Sequence, residues 1–144
     1  MERRAFQLLY ARFAYAARPM GDRRELVEIF CGGALGALLR AGLVEAAGDP
    51  APAWPWVTFG VNVAGAFLLG VLVTLLSPGT RGRPFFTTGF CGALTTFSTI
   101  QVEVLKMLEA GRLGIAALYV GGSVMAGLAG VHLATRLGER AQTG

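Results

Sequence analysis

The side chains able to do chemistry in this sequence lie inside its apolar runs, and they are amides and hydroxyls. Asn62 is the single amide of one run, a helical turn past Thr58. Thr95-Thr96-Phe97-Ser98-Thr99 sets four hydroxyls around a phenylalanine, directly after Gly89-Phe90-Cys91-Gly92. Tyr119 and Ser123 stand i, i+4 and share one helical face. All of these groups can donate hydrogen bonds, and left unpaired in hydrocarbon each is costly, so they must meet one another or line water. Cation paths show acidic rings or carbonyl filters, and proton coupling shows a membrane-embedded carboxylate. A row of N–H and O–H donors suits a small, hard anion instead, which trades its water shell for hydrogen bonds. A phenylalanine ring edge is electropositive and adds to that row. With no fixed cation among these groups, binding stays weak enough for release.

Other chemistries find no apparatus. No cluster of His, Cys, Asp and Glu has metal-ligand spacing, and no nucleophile sits beside a base, so the chain does not read as an enzyme. His132, the single histidine, falls near the end of the last apolar run and reads as a packed or interfacial residue. Cys31 and Cys91 form no C-x-x-C pair and read as small buried hydrophobes. Gly32-Gly33-x-x-Gly36 lacks the following Lys-Ser/Thr of a nucleotide loop.

The elements that must position the polar row are membrane helices. Of 144 residues, 53% are hydrophobic and only 15% are charged, against roughly a quarter in soluble domains. That composition excludes a disordered chain, and so small a body cannot hide this much apolar surface as a soluble enzyme. Residues 57–76, 85–102 and 113–135 are free of Asp, Glu, Lys and Arg, each near the ~20 residues that cross a bilayer. Residues 26–47 are weaker, with Glu28, Arg40 and Glu45 toward their ends, where charges reach the headgroups. The expected fold is an all-α integral membrane protein of four transmembrane helices. The connectors agree: a Pro-rich stretch carries Trp54 and Trp56, suited to the interface, and the other two links are short. Gly32-x-x-x-Gly36, Gly60-x-x-x-Ala64, Ser123-x-x-x-Gly127 and Ala126-x-x-x-Gly130 offer small-residue faces for close helix packing.

Residues 1–25 read as a basic extension, with translation expected to start at Met20; 26–137 form the membrane domain and 138–144 a tail. Six arginines precede the first apolar run. Leading straight into membrane segments, they read as a flank against lipid headgroups, with no nucleic-acid partner. Basic residues number ten on the side of the N-terminus, second loop and C-terminus, against three on the other. From Met20 onward the count is six against three.

Three strings together resemble the Fluc/CrcB fluoride channels. They are Gly33-Ala34-Leu35-Gly36-Ala37-Leu38-Leu39-Arg40, Thr58-Phe59-Gly60-Val61-Asn62-Val63-Ala64-Gly65-Ala66-Phe67, and Gly89-Phe90-Cys91-Gly92-Ala93-Leu94-Thr95-Thr96-Phe97-Ser98-Thr99. The similarity covers about residues 26–137, and the third string is the most specific. The resemblance implies an antiparallel, dual-topology homodimer with a break near the middle of its third helix. Two pores would export cytoplasmic fluoride passively through the plasma membrane and confer fluoride resistance. It further implies that Asn62 is the pore amide and Phe97 the first ring of a phenylalanine box. Ser98 and Thr99 would be pore hydroxyls, with Tyr119 and Ser123 on a polar track. Arg40 and Glu103 would belong to a vestibule, and main-chain carbonyls of Gly92 and Thr95 would hold a central sodium ion. The second box position carries Ile100 where the family usually has phenylalanine, and isoleucine there is expected to pack without contacting the anion. The positive bias on one face runs against balanced dual insertion.

Two other classes remain open on the residues alone. A proton-coupled exporter of the small multidrug type needs a carboxylate deep in its first span, and Glu28 is the nearest acid. A structural membrane subunit would use the polar residues only to bond helices together.

Overall fold

The computed structural model describes residues 23–48 and 53–143, and every regular element among them is helical. The N-terminal extension and the start expected at Met20 lie outside the described residues, apart from Arg23, Arg24 and Glu25. Helix α1 spans Arg23–Ala47 and ends at Gly48, whose φ of 73° is the left-handed conformation that closes a helix. Helix α2 spans Trp56–Leu75 and starts directly after Pro55. A wide, π-helical segment, Phe85–Cys91, follows Pro84 and passes into one turn of helix, α3, Gly92–Leu94. Thr95 is extended (φ −76°, ψ 150°), and helix resumes as α4, Ser98–Glu109. Helix α5 spans Leu113–Thr143. It runs past residue 135 into the stretch read as a tail, carried by Gly138, which lies against the Thr74 side chain.

Three helices, Arg23–Ala47, Trp56–Leu75 and Leu113–Arg140, are long and apolar enough to cross a membrane. The run from 85 to 109 yields no such helix because its pieces hold 7, 3 and 12 residues. Helix α2 lies along α5, and α1 lies along the π-helical segment. The buried cluster is small: Met107, Ala116 and Tyr119, with Trp54, Phe59, Ile100, Val104 and Ile115 packed on it. Large apolar side chains such as Phe30, Leu38, Leu118 and Met125 point outward, as expected where the solvent is lipid. Cys31 is among the exposed residues, on the outer side of α1, while Cys91 is buried. The expectation of two buried cysteines therefore holds for one, because Gly32 and Gly36 turn the opposite face of α1 inward.

Close approach explains why those two positions are glycine. A Cβ on Gly32 would stand 2.1 Å from the Phe85 carbonyl oxygen, and one on Gly36 2.3 Å from that of Phe90. Backbone on both sides leaves no side chain to move aside. The α2–α5 contact is tight as well, with Gly70 against Ala134 and Val131. Gly60 and Gly127, by contrast, have no neighbour within 4 Å, so two of the small-residue faces read from the sequence lie open within one chain.

Candidate functional site

The polar row converges on the interruption between α3 and α4. A helix that stops leaves carbonyls and amides without ladder partners, and inside a membrane something must replace them. Two neighbouring helices do so. From α1, Arg40 Nε donates to the Ala93 carbonyl at 3.0 Å. From α2, Asn62 meets both backbone groups of Thr96: its Nδ2 donates to the Thr96 carbonyl at 3.1 Å, and its Oδ1 accepts the Thr96 N–H at 2.7 Å. Gly65, one turn further along α2, lies so near that a Cβ would stand 2.5 Å from Thr95 Cγ2.

Beyond the interruption, Thr96 Oγ1 accepts the Thr99 N–H at 3.2 Å and so caps α4. The same oxygen lies 2.9 Å from Thr99 Oγ1 and 3.2 Å from Ser98 Oγ. Phe97 and Ser98 face outward, with the Phe97 ring 70% exposed. Before the interruption, the Thr95 hydroxyl folds back onto the Cys91 carbonyl at 3.0 Å. The amide that would continue the ladder to the Gly92 carbonyl belongs to Thr96 and points to Asn62 instead.

A second polar knot joins α2, α4 and α5. Glu103 is 7% exposed, and its two oxygens accept hydrogen bonds from Thr58 Oγ1 at 2.5 Å and Tyr119 Oη at 2.6 Å. Tyr119 is fully buried, with Trp54 edge-on to its ring at 5.4 Å. Two short cavities border Glu103, of about 170 and 320 Å³; Val44 and Gly48 line both, and Lys106 lines the larger. Among the described residues, two buried side-chain donors have no partner: Ser123 Oγ and Trp54 Nε1.

The geometry thus draws Arg40, Asn62, Ser98, Thr99 and the backbone of Gly92 and Thr95 around one interruption. Glu103 and Tyr119 pair with each other through one hydrogen bond. Ile100 sits in the apolar cluster beside Tyr119 and Met107. Sequence reading left Thr96 and Thr58 without a role, although both were visible. Thr96 lies within the most specific string, and Thr58 shares a helical face with Asn62.

The chain is similar in sequence to known proteins. The family model described as CrcB-like protein, Camphor Resistance (CrcB), matches residues 27–135. A protein of Mycolicibacterium paratuberculosis named fluoride-specific ion channel FluC 1 is 56% identical over 124 residues, which cover 83% of this chain and 93% of that protein. A Mycobacterium bovis protein of the same name is 53% identical over 127 residues, covering 85% and 96% respectively. In Cereibacter sphaeroides a fluoride-specific ion channel FluC is 44% identical over 111 residues, 74% of this chain and 87% of that protein.

Proposed function

This chain belongs to the CrcB-like family, and from that membership we propose that it conducts fluoride through the path built around the α3–α4 interruption. It is a multi-pass protein of the bacterial plasma membrane and a fluoride channel, not an enzyme. One observation carries the reading of the path: uncharged donors surround a backbone interruption whose Thr96 N–H and carbonyl are met by Asn62 and whose Ala93 carbonyl engages the nearby charge of Arg40. A bare anion entering there would meet the second N–H of Asn62, the hydroxyls of Ser98 and Thr99 and the Phe97 edge, and Ser123, whose buried hydroxyl has no partner, would belong to the same path. Each replaces part of its hydration, and none holds it with a full charge.

Glu28 supports a channel over a proton-coupled exporter. It stands in the second turn of α1, accepting from Arg24 Nε at 3.0 Å and from the Gly82 N–H at 3.2 Å. An acid tied to a loop at the end of a span is poorly placed to carry protons through its middle.

The fluoride is cytoplasmic and leaves passively, down its gradient. A single chain leaves Phe97, Ser98 and Gly60 exposed and leaves room beside the half-buried Gly127. An antiparallel second copy would cover such surfaces and give two pores per homodimer. In that pairing Thr80→Cys, in the loop after α2, reacts with an impermeant thiol reagent both on whole cells and on inverted vesicles. Reaction from one side only, the outcome toward which the uneven basic residues lean, contradicts dual insertion.

Sodium fits the interruption. The Gly92 carbonyl has lost its ladder amide to Asn62 and keeps only a long contact, 3.5 Å, from the Thr95 hydroxyl. The Gly92 and Thr95 carbonyls would hold the ion, which supplies positive charge that satisfies them when bound.

Ile100 acts by packing beside Tyr119. Ile100→Phe is therefore expected to change fluoride flux by less than about tenfold, a barrier change near 1.4 kcal/mol. The check is the efflux rate from liposomes at equal protein density, and a larger rise would make position 100 an anion contact.

A further inference from the structure

The two hydrogen bonds between Asn62 and Thr96 assign the amide a task apart from touching the anion. We propose that Asn62 is a positioning residue: a splint that stands in for the helical ladder at the interruption and thereby fixes the head of α4. This deepens the fluoride-channel reading and rests on it for its flux readout.

A neutral amide offers one oxygen and two N–H hydrogens. Here the oxygen takes the Thr96 N–H at 2.7 Å, and one hydrogen goes to the Thr96 carbonyl at 3.1 Å. A residue that leaves a helix inside a membrane has no water for its backbone N–H and C=O. A side chain 34 residues away in sequence satisfies both of its groups at once. Thr96 in turn caps Thr99 and sets the spacing of the Ser98 and Thr99 hydroxyls. Loss of the splint therefore displaces donors that Asn62 never touches. A single hydrogen remains for an anion.

Splint and anion donor can be separated by chemistry. In Asn62→Asp the ionised carboxylate accepts the Thr96 N–H but sets its second oxygen against the Thr96 carbonyl. Protonated, it restores both bonds in the same shape, yet has no hydrogen left for an anion. Acid also removes the carboxylate's repulsion of an anion, so flux alone does not separate the two roles. At acid pH, where both variants are uncharged at this position, a splint makes Asn62→Asp more stable to unfolding than Asn62→Leu, and a pure anion donor does not. Asn62→Leu lacks both bonds at every pH. The other titratable or charged groups around this part of α2 are Arg40 on α1, Glu103 on α4 and Tyr119 on α5. The leucine variant carries all three and reports their titration.

The test measures fluoride efflux from liposomes holding wild type, Asn62→Asp or Asn62→Leu, from about pH 8 to about pH 5, where carboxyl groups titrate. Protein-free vesicles report leakage of the undissociated acid for subtraction. Thermal unfolding in detergent is followed over the same range. Asn62→Asp should gain at least about tenfold in flux on acidification, the scale of one strong hydrogen bond. Its thermal midpoint should rise as pH falls, since the fold favours the protonated form. Asn62→Leu should gain neither. If wild type conducts and Asn62→Asp at acid pH gains nothing, or is no more stable to unfolding than Asn62→Leu, the splint is wrong. Should wild type itself pass no fluoride, the channel reading fails, and the unfolding curves alone decide the splint. If ionised Asn62→Asp does not fold, the comparison is made at acid pH, where it must fold and conduct and Asn62→Leu must not.

Discussion

Gly32→Ala and Gly36→Ala should each cost the folded protein about 2 kcal/mol or more. Overpacking of a tight contact costs roughly 1–3 kcal/mol, and the helix-propensity gain of alanine over glycine offsets about 1. The upper end applies here because the added carbon would meet the carbonyl oxygens of Phe85 and Phe90 at 2.1 and 2.3 Å. A backbone wall yields only if the whole π-helical segment moves, and that segment leads into the interruption. The check is the thermal midpoint in detergent, with Gly42→Ala as control. Gly42 lies on α1 with nothing within 4 Å, so alanine there should leave the midpoint level or slightly raised. Equal behaviour of all three would mean that α1 and the third segment do not pack this closely.

Glu103→Leu is the second large effect. It strands the Thr58 and Tyr119 hydroxyls, both on buried residues, at about 1–3 kcal/mol for each unsatisfied group. Replacing the whole knot should be far milder than breaking it. The triple variant Thr58→Val, Glu103→Leu, Tyr119→Phe has no stranded polar group, and apolar replacement of a complete buried network is often close to neutral. Its midpoint should recover most of what Glu103→Leu loses. A triple variant as unstable as the sum of its parts would show that the three residues do not act as one network.

Much of this was legible in the sequence because membrane helices announce themselves by length and by missing charge. The ends of α2 fall within a residue of the run at 57–76, and Pro55 and Pro84 mark starts that any proline marks. The importance of Asn62 and of the Thr-Thr-Phe-Ser-Thr string was also readable, since isolated polar groups among apolar ones must find partners. Which partner each finds was not. Asn62 with Thr96, Thr58 with Glu103 and Arg40 with Ala93 are 34, 45 and 53 residues apart. No local periodicity encodes such pairs; packing through Gly32, Gly36 and Gly65 does. For the same reason Arg40, expected in a vestibule, donates to the end of α3. The open faces at Gly60 and Gly127 follow the same logic: a small residue permits close approach, and only the fold decides whether a helix arrives.

Anion passage by exchange of water for uncharged donors is tested most directly with purified wild-type protein in liposomes loaded with equal fluoride and chloride. Both anions are followed by selective electrodes while a potassium ionophore balances charge. Rapid release of fluoride with chloride retained is the predicted result. Retention of both anions, or their release at equal rates, would contradict it.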